Sequence, residues 1–179
     1  MRTRLVHAVA LLSTGLLAGA FGYGAANLAP TFRRVPLQMR LEFHTELMKN
    51  NSVSMQLTMA IAAVSCLALA ALTRGRARLL AGLATGLVVA SFVITRFGNV
   101  PINYRINDWV TEGAPADYAE ILSRWDVFHY LRTGTGLAAF GLMILLALGV
   151  SRQQLRDAGG AEAGDVHIRR QPDLIGHAE

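Results

Sequence analysis

The sequence is short of charge and of cysteine, and each shortage excludes whole classes of protein. Only 16% of its 179 residues are charged, against 53% hydrophobic, and the mean hydropathy is +0.36. That balance rules out a disordered chain and an ordinary soluble nucleic-acid-binding domain. The single cysteine, Cys66, sits among Ser65, Leu67 and Ala68, so no intramolecular disulfide can form and a disulfide scaffold is excluded. The longest apolar stretches hold no Asp, Glu, Lys or Arg, and their ionisable groups are His7, Tyr23 and Cys66. Ion pumps and proton relays carry carboxylates or bases at membrane depth, so the sequence does not describe one.

What is there instead is apolar chain in four uninterrupted blocks: residues 5–29, 50–73, 79–95 and 133–151. Each is near the roughly 20 residues a helix needs to cross a hydrocarbon core of about 30 Å. The expected architecture is all-α, an integral membrane four-helix bundle with spans at roughly 5–29, 52–73, 77–97 and 130–150. Arg2 and Arg4 ahead of an apolar run also resemble a signal peptide, but the run continues to Ala29, well past a signal's apolar core, and is read as the first span.

The net charge of +5 belongs with lipid headgroups rather than nucleic acid, because the basic residues flank the spans. Arg2 and Arg4 precede the first span, Arg74, Arg76 and Arg78 crowd a very short link, and Arg152 and Arg156 follow the last span. The positive-inside rule places these in the cytoplasm, with both termini, in what is expected to be the plasma membrane. The segment 152–179 is poor in large apolar residues and reads as a disordered cytoplasmic tail. Gly15 and Gly19, Gly82 and Gly86, and Thr133, Gly134, Gly136 and Gly141 supply the small residues on which membrane helices pack closely.

Chemistry must then lie in the two outer segments. In the first, apolar residues at 37, 41, 47 and 48 alternate with charges, the pattern of a short interfacial helix. His44 and Glu46 are two residues apart, so they point to different faces and cannot chelate one metal together. An interfacial histidine with no duty is an equally good reading of His44.

In the second outer segment, Pro101 interrupts a helix in which Asn99, Asn103 and Asn107 recur at four-residue spacing, followed by Trp109. Their amides could cap backbone groups freed by the proline or bind a polar ligand, and spacing alone favours capping. From Ala116 to Val150 there is no proline, which predicts an extended fourth helix whose first turns stand outside the bilayer. On it, Tyr118, Trp125, His129 and Arg132 fall within an arc of about 60°. An aromatic belt with a snorkelling arginine accounts for most of that stripe. It does not account for a histidine between the aromatics with an arginine one turn deeper, which are the parts of a pocket for a flat, acidic organic molecule.

The runs Asn99-Val-Pro101-Ile-Asn103 and Trp125-Asp-Val-Phe-His129-Tyr-Leu-Arg132-Thr133, in this order before the last span, resemble the DUF1772 family of four-helix membrane proteins, which includes the fungal anthrone oxygenases. The resemblance covers most of residues 5–150 in layout. It implies oxidation of an anthrone to an anthraquinone without an organic cofactor, and it carries over Asn99, Pro101, Asn103, Trp125, His129 and Arg132, with His44 a looser candidate. On this reading His129 is the base and Arg132 holds the developing oxyanion. Trp125 stacks on the substrate rings, and Asn99, Asn103, Trp109 and His44 help to bind it. The partners expected are membrane lipids, a small aromatic substrate and O2. A metal held by His44 and His129 lacks any recognisable third ligand, and no metal is assigned. The alternatives are a non-catalytic membrane protein that binds a lipophilic ligand or a partner helix, and a small transporter.

Overall fold

A computed structural model describes the backbone of residues 2–168 and the side chains of residues 2–149. Among the described residues the regular structure is entirely helical: α1 (Arg2–Tyr23), α2 (Ala29–Phe32), α3 (Leu37–Leu72), α4 (Gly75–Ile94), α5 (Val100–Glu112) and α6 (Tyr118–Ile168). Two π-helical turns, Gly24–Leu28 and Thr95–Asn99, join α1 to α2 and α4 to α5. The joined helices make four segments long and apolar enough to cross a membrane: Arg2–Phe32, Leu37–Leu72, Gly75–Glu112 and Tyr118–Gly149. Large apolar side chains such as Leu12 and Val64 point outward, 65% and 67% exposed. Such a surface suits lipid and not water, and the chain is an integral membrane protein.

The spans form a closed ring in which the first and third each pack against the second and fourth. Two apolar clusters stack along the bundle. One, at span level, contains Leu17, Phe21, Met59, Cys66, Val88 and Met143. The other, at the outer end, contains Leu41, Ile106, Trp109, Ile121 and Trp125.

Each π turn lies directly ahead of a proline. The N–H of Ala29 reaches back five residues to the Gly24 carbonyl, and Pro30 follows. The N–H of Val100 does the same to Thr95, and Pro101 follows. A proline ring clashes with the carbonyl four residues earlier, and one wide turn relieves the clash without ending the helix. The third span therefore continues through Pro101 to Glu112, where the expectation was an interruption. It stops at Gly113, whose positive φ of 86° suits glycine and whose N–H bonds the Trp109 carbonyl.

The separate interfacial helix expected in the first outer segment is instead the beginning of α3. Between Leu37 and Leu72 there is neither Gly nor Pro. The polar residues in the middle bond back to their own helix, Asn50 to the Glu46 carbonyl and Thr58 to that of Ser54, so nothing breaks the ladder. The fourth helix is extended, as expected, and its backbone carries on through 152–168, part of the tail read as disordered. A preformed helix propagates without a new nucleation cost, and no proline lies between Pro115 and Pro172. The rest of that tail lies outside the described residues.

The glycines divide into two groups. A Cβ on Gly15 or Gly136 would meet Phe140 or Phe21 at 3.1 and 3.3 Å, so these two do pack a helix contact. Gly19, Gly82, Gly86, Gly134 and Gly141 face open space. They correct the packing role assigned to them, because spacing cannot distinguish a helix-facing stripe from a lipid-facing one.

Candidate functional site

The π turns position the site. They bring Gly24 and Gly98 onto two successive residues of α6: a Cβ at Gly24 would lie 2.8–2.9 Å from the His129 ring, and one at Gly98 only 2.5 Å from Phe128. Any side chain at either glycine would displace its aromatic neighbour. His129 is thereby held by span one from the side opposite its own helix.

On α6 the stripe assembles as its spacing implies. The Trp125 and His129 rings stack at 5.0 Å with 9° between their planes. The Arg132 guanidinium lies 4.7 Å from the Phe21 ring centre and 5.9 Å from that of Trp125. It donates to Nδ1 of His129 from Nε at 3.2 Å and from a terminal nitrogen at 2.9 Å. Arginine can only donate, so Nδ1 is an acceptor and the neutral ring carries its proton on Nε2, a buried atom on the side of Gly24. Tyr118 packs on the outer apolar cluster instead of joining the site.

A second imidazole approaches from α3. His44 is fully buried, its ring 4.9 Å from Trp125 in an edge-on contact and 5.4 Å from Phe32. Its Nε2 and the indole Nε1 of Trp125 both reach Oδ1 of Asn103, at 3.0 and 2.7 Å. The indole N–H is a donor only, so the atom it meets must be the amide oxygen, and His44 must then donate as well. Asn99, also fully buried, donates its amide to the Trp125 carbonyl at 3.0 Å, which fixes the third span on the fourth. Neither asparagine caps its own helix, as spacing alone favoured: Asn99 ties α5 to α6, and Asn103 is tied to two aromatic side chains.

Between the two apolar clusters lies a cavity of about 590 Å³ lined from all four spans, with Phe21, Met59, Asn103, Trp125, His129 and Arg132 on its walls. Its other charges are Lys49 and Arg96, and among the described residues no carboxylate lines it. Of the residues singled out in the sequence, Asn103, Asn107, Trp125, His129 and Arg132 meet there. His44 stands directly behind Asn103 and Trp125, and Asn99 lies outside the lining. Trp109 is placed apart, in the outer cluster with Arg105 5.5 Å from its ring centre.

Sequence reasoning missed a charged cluster beside the site. Asp126, next to Trp125, accepts from Nε of Arg33 at 2.9 Å and lies 3.8 Å from Arg40, whose side chain is buried. The hydrogen bond to Asp126 raises the pKa of Arg33 above its usual value. The available signal was position: Arg40 precedes His44 by one helical turn, and Asp126 is the acid nearest the last span. Among the described residues no three His, Cys, Asp or Glu side chains group so as to hold a metal ion.

The constellation of stacked indole, imidazole and guanidinium, with an asparagine from the third span, occupies the stretch over which a known family can be matched. The family model described as anthrone oxygenase matches residues 45–142, more than half of the chain. The chain belongs to the anthrone oxygenase family. The matched stretch contains Asn99, Asn103, Trp109, Trp125, His129 and Arg132, and it begins one residue after His44. No curated protein and no solved structure matches the chain.

Proposed function

We propose that this member of the anthrone oxygenase family oxidises an anthrone-like polycyclic phenol with O2 inside the membrane-embedded cavity. The observation that carries the reading is the pairing of His129 with Arg132 against the stacked Trp125, in a cavity whose lining, among the described residues, holds cations and no carboxylate. Loss of a proton from the CH2 of an anthrone gives an aromatic anthrolate. That anion can pass an electron to O2, and the resulting radical and superoxide combine to a peroxide at the same carbon. Protonation gives the hydroperoxide, and removal of the second C–H proton breaks the O–O bond. The products are a carbonyl and water, so all four electrons taken by O2 come from the substrate and no organic cofactor is required.

The protein's residues supply a base and an anion holder. Because Arg132 occupies the His129 lone pair, the base is masked until an oxygen of the substrate draws the guanidinium away from Nδ1. Arg132 then stabilises the anthrolate oxygen, His129 accepts the carbon-bound proton, and Trp125 offers its ring to the substrate's face. We place the protein in the plasma membrane with both termini cytoplasmic, on the strength of the arginines at 2, 4, 74, 76 and 78.

The same masking favours one second reading, a carrier that binds a lipophilic anion without turning it over. Anthrone-dependent O2 uptake by the purified protein in detergent, corrected for spontaneous autoxidation, separates the two. Oxygenase action predicts a rate above background that falls about 10²- to 10⁴-fold in His129→Ala. Binding of anthrone with no enzymatic O2 uptake establishes the carrier.

A further inference from the structure

The hydrogen bonds around Asn103 leave its amide nitrogen unspent. Both lone-pair directions of Oδ1 are taken, one by the Trp125 indole N–H at 2.7 Å and one by the His44 Nε2–H at 3.0 Å. Neither donor can exchange roles with the amide, since indole nitrogen never accepts and His44 must donate to an oxygen. The amide therefore cannot flip, and its NH2 end is committed to the other direction. There its one acceptor among the described residues is the thioether sulfur of Met48 at 3.3 Å, a weak acceptor on a flexible side chain. Asn103 and Met48 both line the cavity. A carbonyl or phenolate oxygen is a far better acceptor than a thioether, and the sulfur can turn aside at little cost.

We infer that the Asn103 amide N–H is a second reader of ligand oxygen in the cavity, with Trp125 and His44 as its positioning residues, so that the site selects polycyclic aromatics bearing a ketone or phenolate oxygen over the bare hydrocarbon. Arg132 lies over the face of the indole, whereas Asn103 meets its N–H edge, so the two donors read the ligand from different directions. This gives His44 a task without contact to the ligand. It also accounts for the burial of a histidine whose Nε2 bonds Asn103.

The inference rests on the proposed substrate class but concerns binding, so it can be tested without turnover. The dissociation constants of anthrone and of 9,10-dihydroanthracene, which lacks the oxygen, are measured under anaerobic conditions for the full-length protein in detergent. Wild type should prefer anthrone. Asn103→Ala should weaken anthrone binding about 3- to 10-fold, the range of one net hydrogen bond, and leave dihydroanthracene unchanged. His44→Phe keeps a ring but removes the donor and should erode the same preference. His44→Gln, whose amide nitrogen can take the place of Nε2, should restore it.

A damaged fold would weaken both ligands alike, so an equal loss for both in Asn103→Ala overturns the inference. So does an unchanged preference in that variant, or a wild type that binds neither compound. Selectivity for anthrone with no O2 uptake would instead leave the inference standing and sink the oxygenase. O2 uptake with no effect of Asn103→Ala on selectivity would do the reverse.

Discussion

Arg132 holds Nδ1 of His129 through two of its guanidinium nitrogens, at 3.2 and 2.9 Å, from one turn further along the same helix. The cation and the base of the proposed reaction are thus hydrogen-bonded to each other. A ligand oxygen must compete for the guanidinium, and success in that competition is what frees the imidazole.

Arg132→Lys tests this coupling. A lysine keeps the charge but has no planar fork, so it cannot span Nδ1 and a ligand oxygen in turn with the same geometry. We expect kcat to fall at least about 10-fold, against almost no change if the arginine merely snorkels to the interface. Steady-state O2 uptake at saturating anthrone is the measurement, and an unaltered kcat would remove Arg132 from the mechanism.

Gly24 offers a steric test remote from any charge. Gly24→Ala would set a methyl group 2.8–2.9 Å from the His129 ring, and the ring must shift. Destabilisation of about 1–3 kcal/mol is expected from overpacking, with loss of O2 uptake. Gly22→Ala, two residues earlier and facing open space, should leave both thermal stability in detergent and activity near wild type. If the two variants behave alike, the close approach of span one to His129 is not a feature of the protein in solution.

Removing the carboxylate of Asp126 should affect stability. Asp126→Asn strands the buried Arg40 guanidinium, whose side chain is 8% exposed, without its counter-charge. A cost of about 3 kcal/mol is expected. Arg33 is half exposed in its bridge to the same acid, so Arg33→Gln should cost less than about 1 kcal/mol. Denaturant titration in detergent can rank the two, and a larger loss for Arg33→Gln would contradict the burial argument.

Topology is accessible by labelling, since the native Cys66 is buried. In intact cells Arg76→Cys should resist an impermeant maleimide, and Asp117→Cys, in the link before α6, should react. The opposite pattern would invert the proposed orientation.

The spans were legible because each is a charge-free run, and the α6 stripe because a helix repeats every 3.6 residues. Relations between helices were not legible. Four-residue spacing puts Asn99 and Asn103 on one face, yet one bonds a carbonyl of α6 and the other joins His44 to Trp125. Phe43-His44 and Phe128-His129 form a two-residue match before two spans, too short to mean anything as sequence, although both histidines meet the same indole. Nor did any pattern announce the π turns. A proline was read as an end to the helix, whereas one widened turn beforehand lets the helix continue and delivers Gly24 and Gly98 to their ring contacts.

A cavity walled by aromatics and cations, and by no carboxylate among the described residues, favours the anion formed between two neutral molecules. The anthrolate carries its charge on the reacting carbon and on the ring oxygen, whereas the anthrone that enters and the quinone that leaves are both uncharged. Arg132 therefore attracts the intermediate more strongly than reactant or product, and a flat, uncharged quinone has the surrounding lipid to receive it. The charge is made and lost within one turnover, so a stable anionic analogue of the anthrolate should inhibit at concentrations well below the KM of the anthrone.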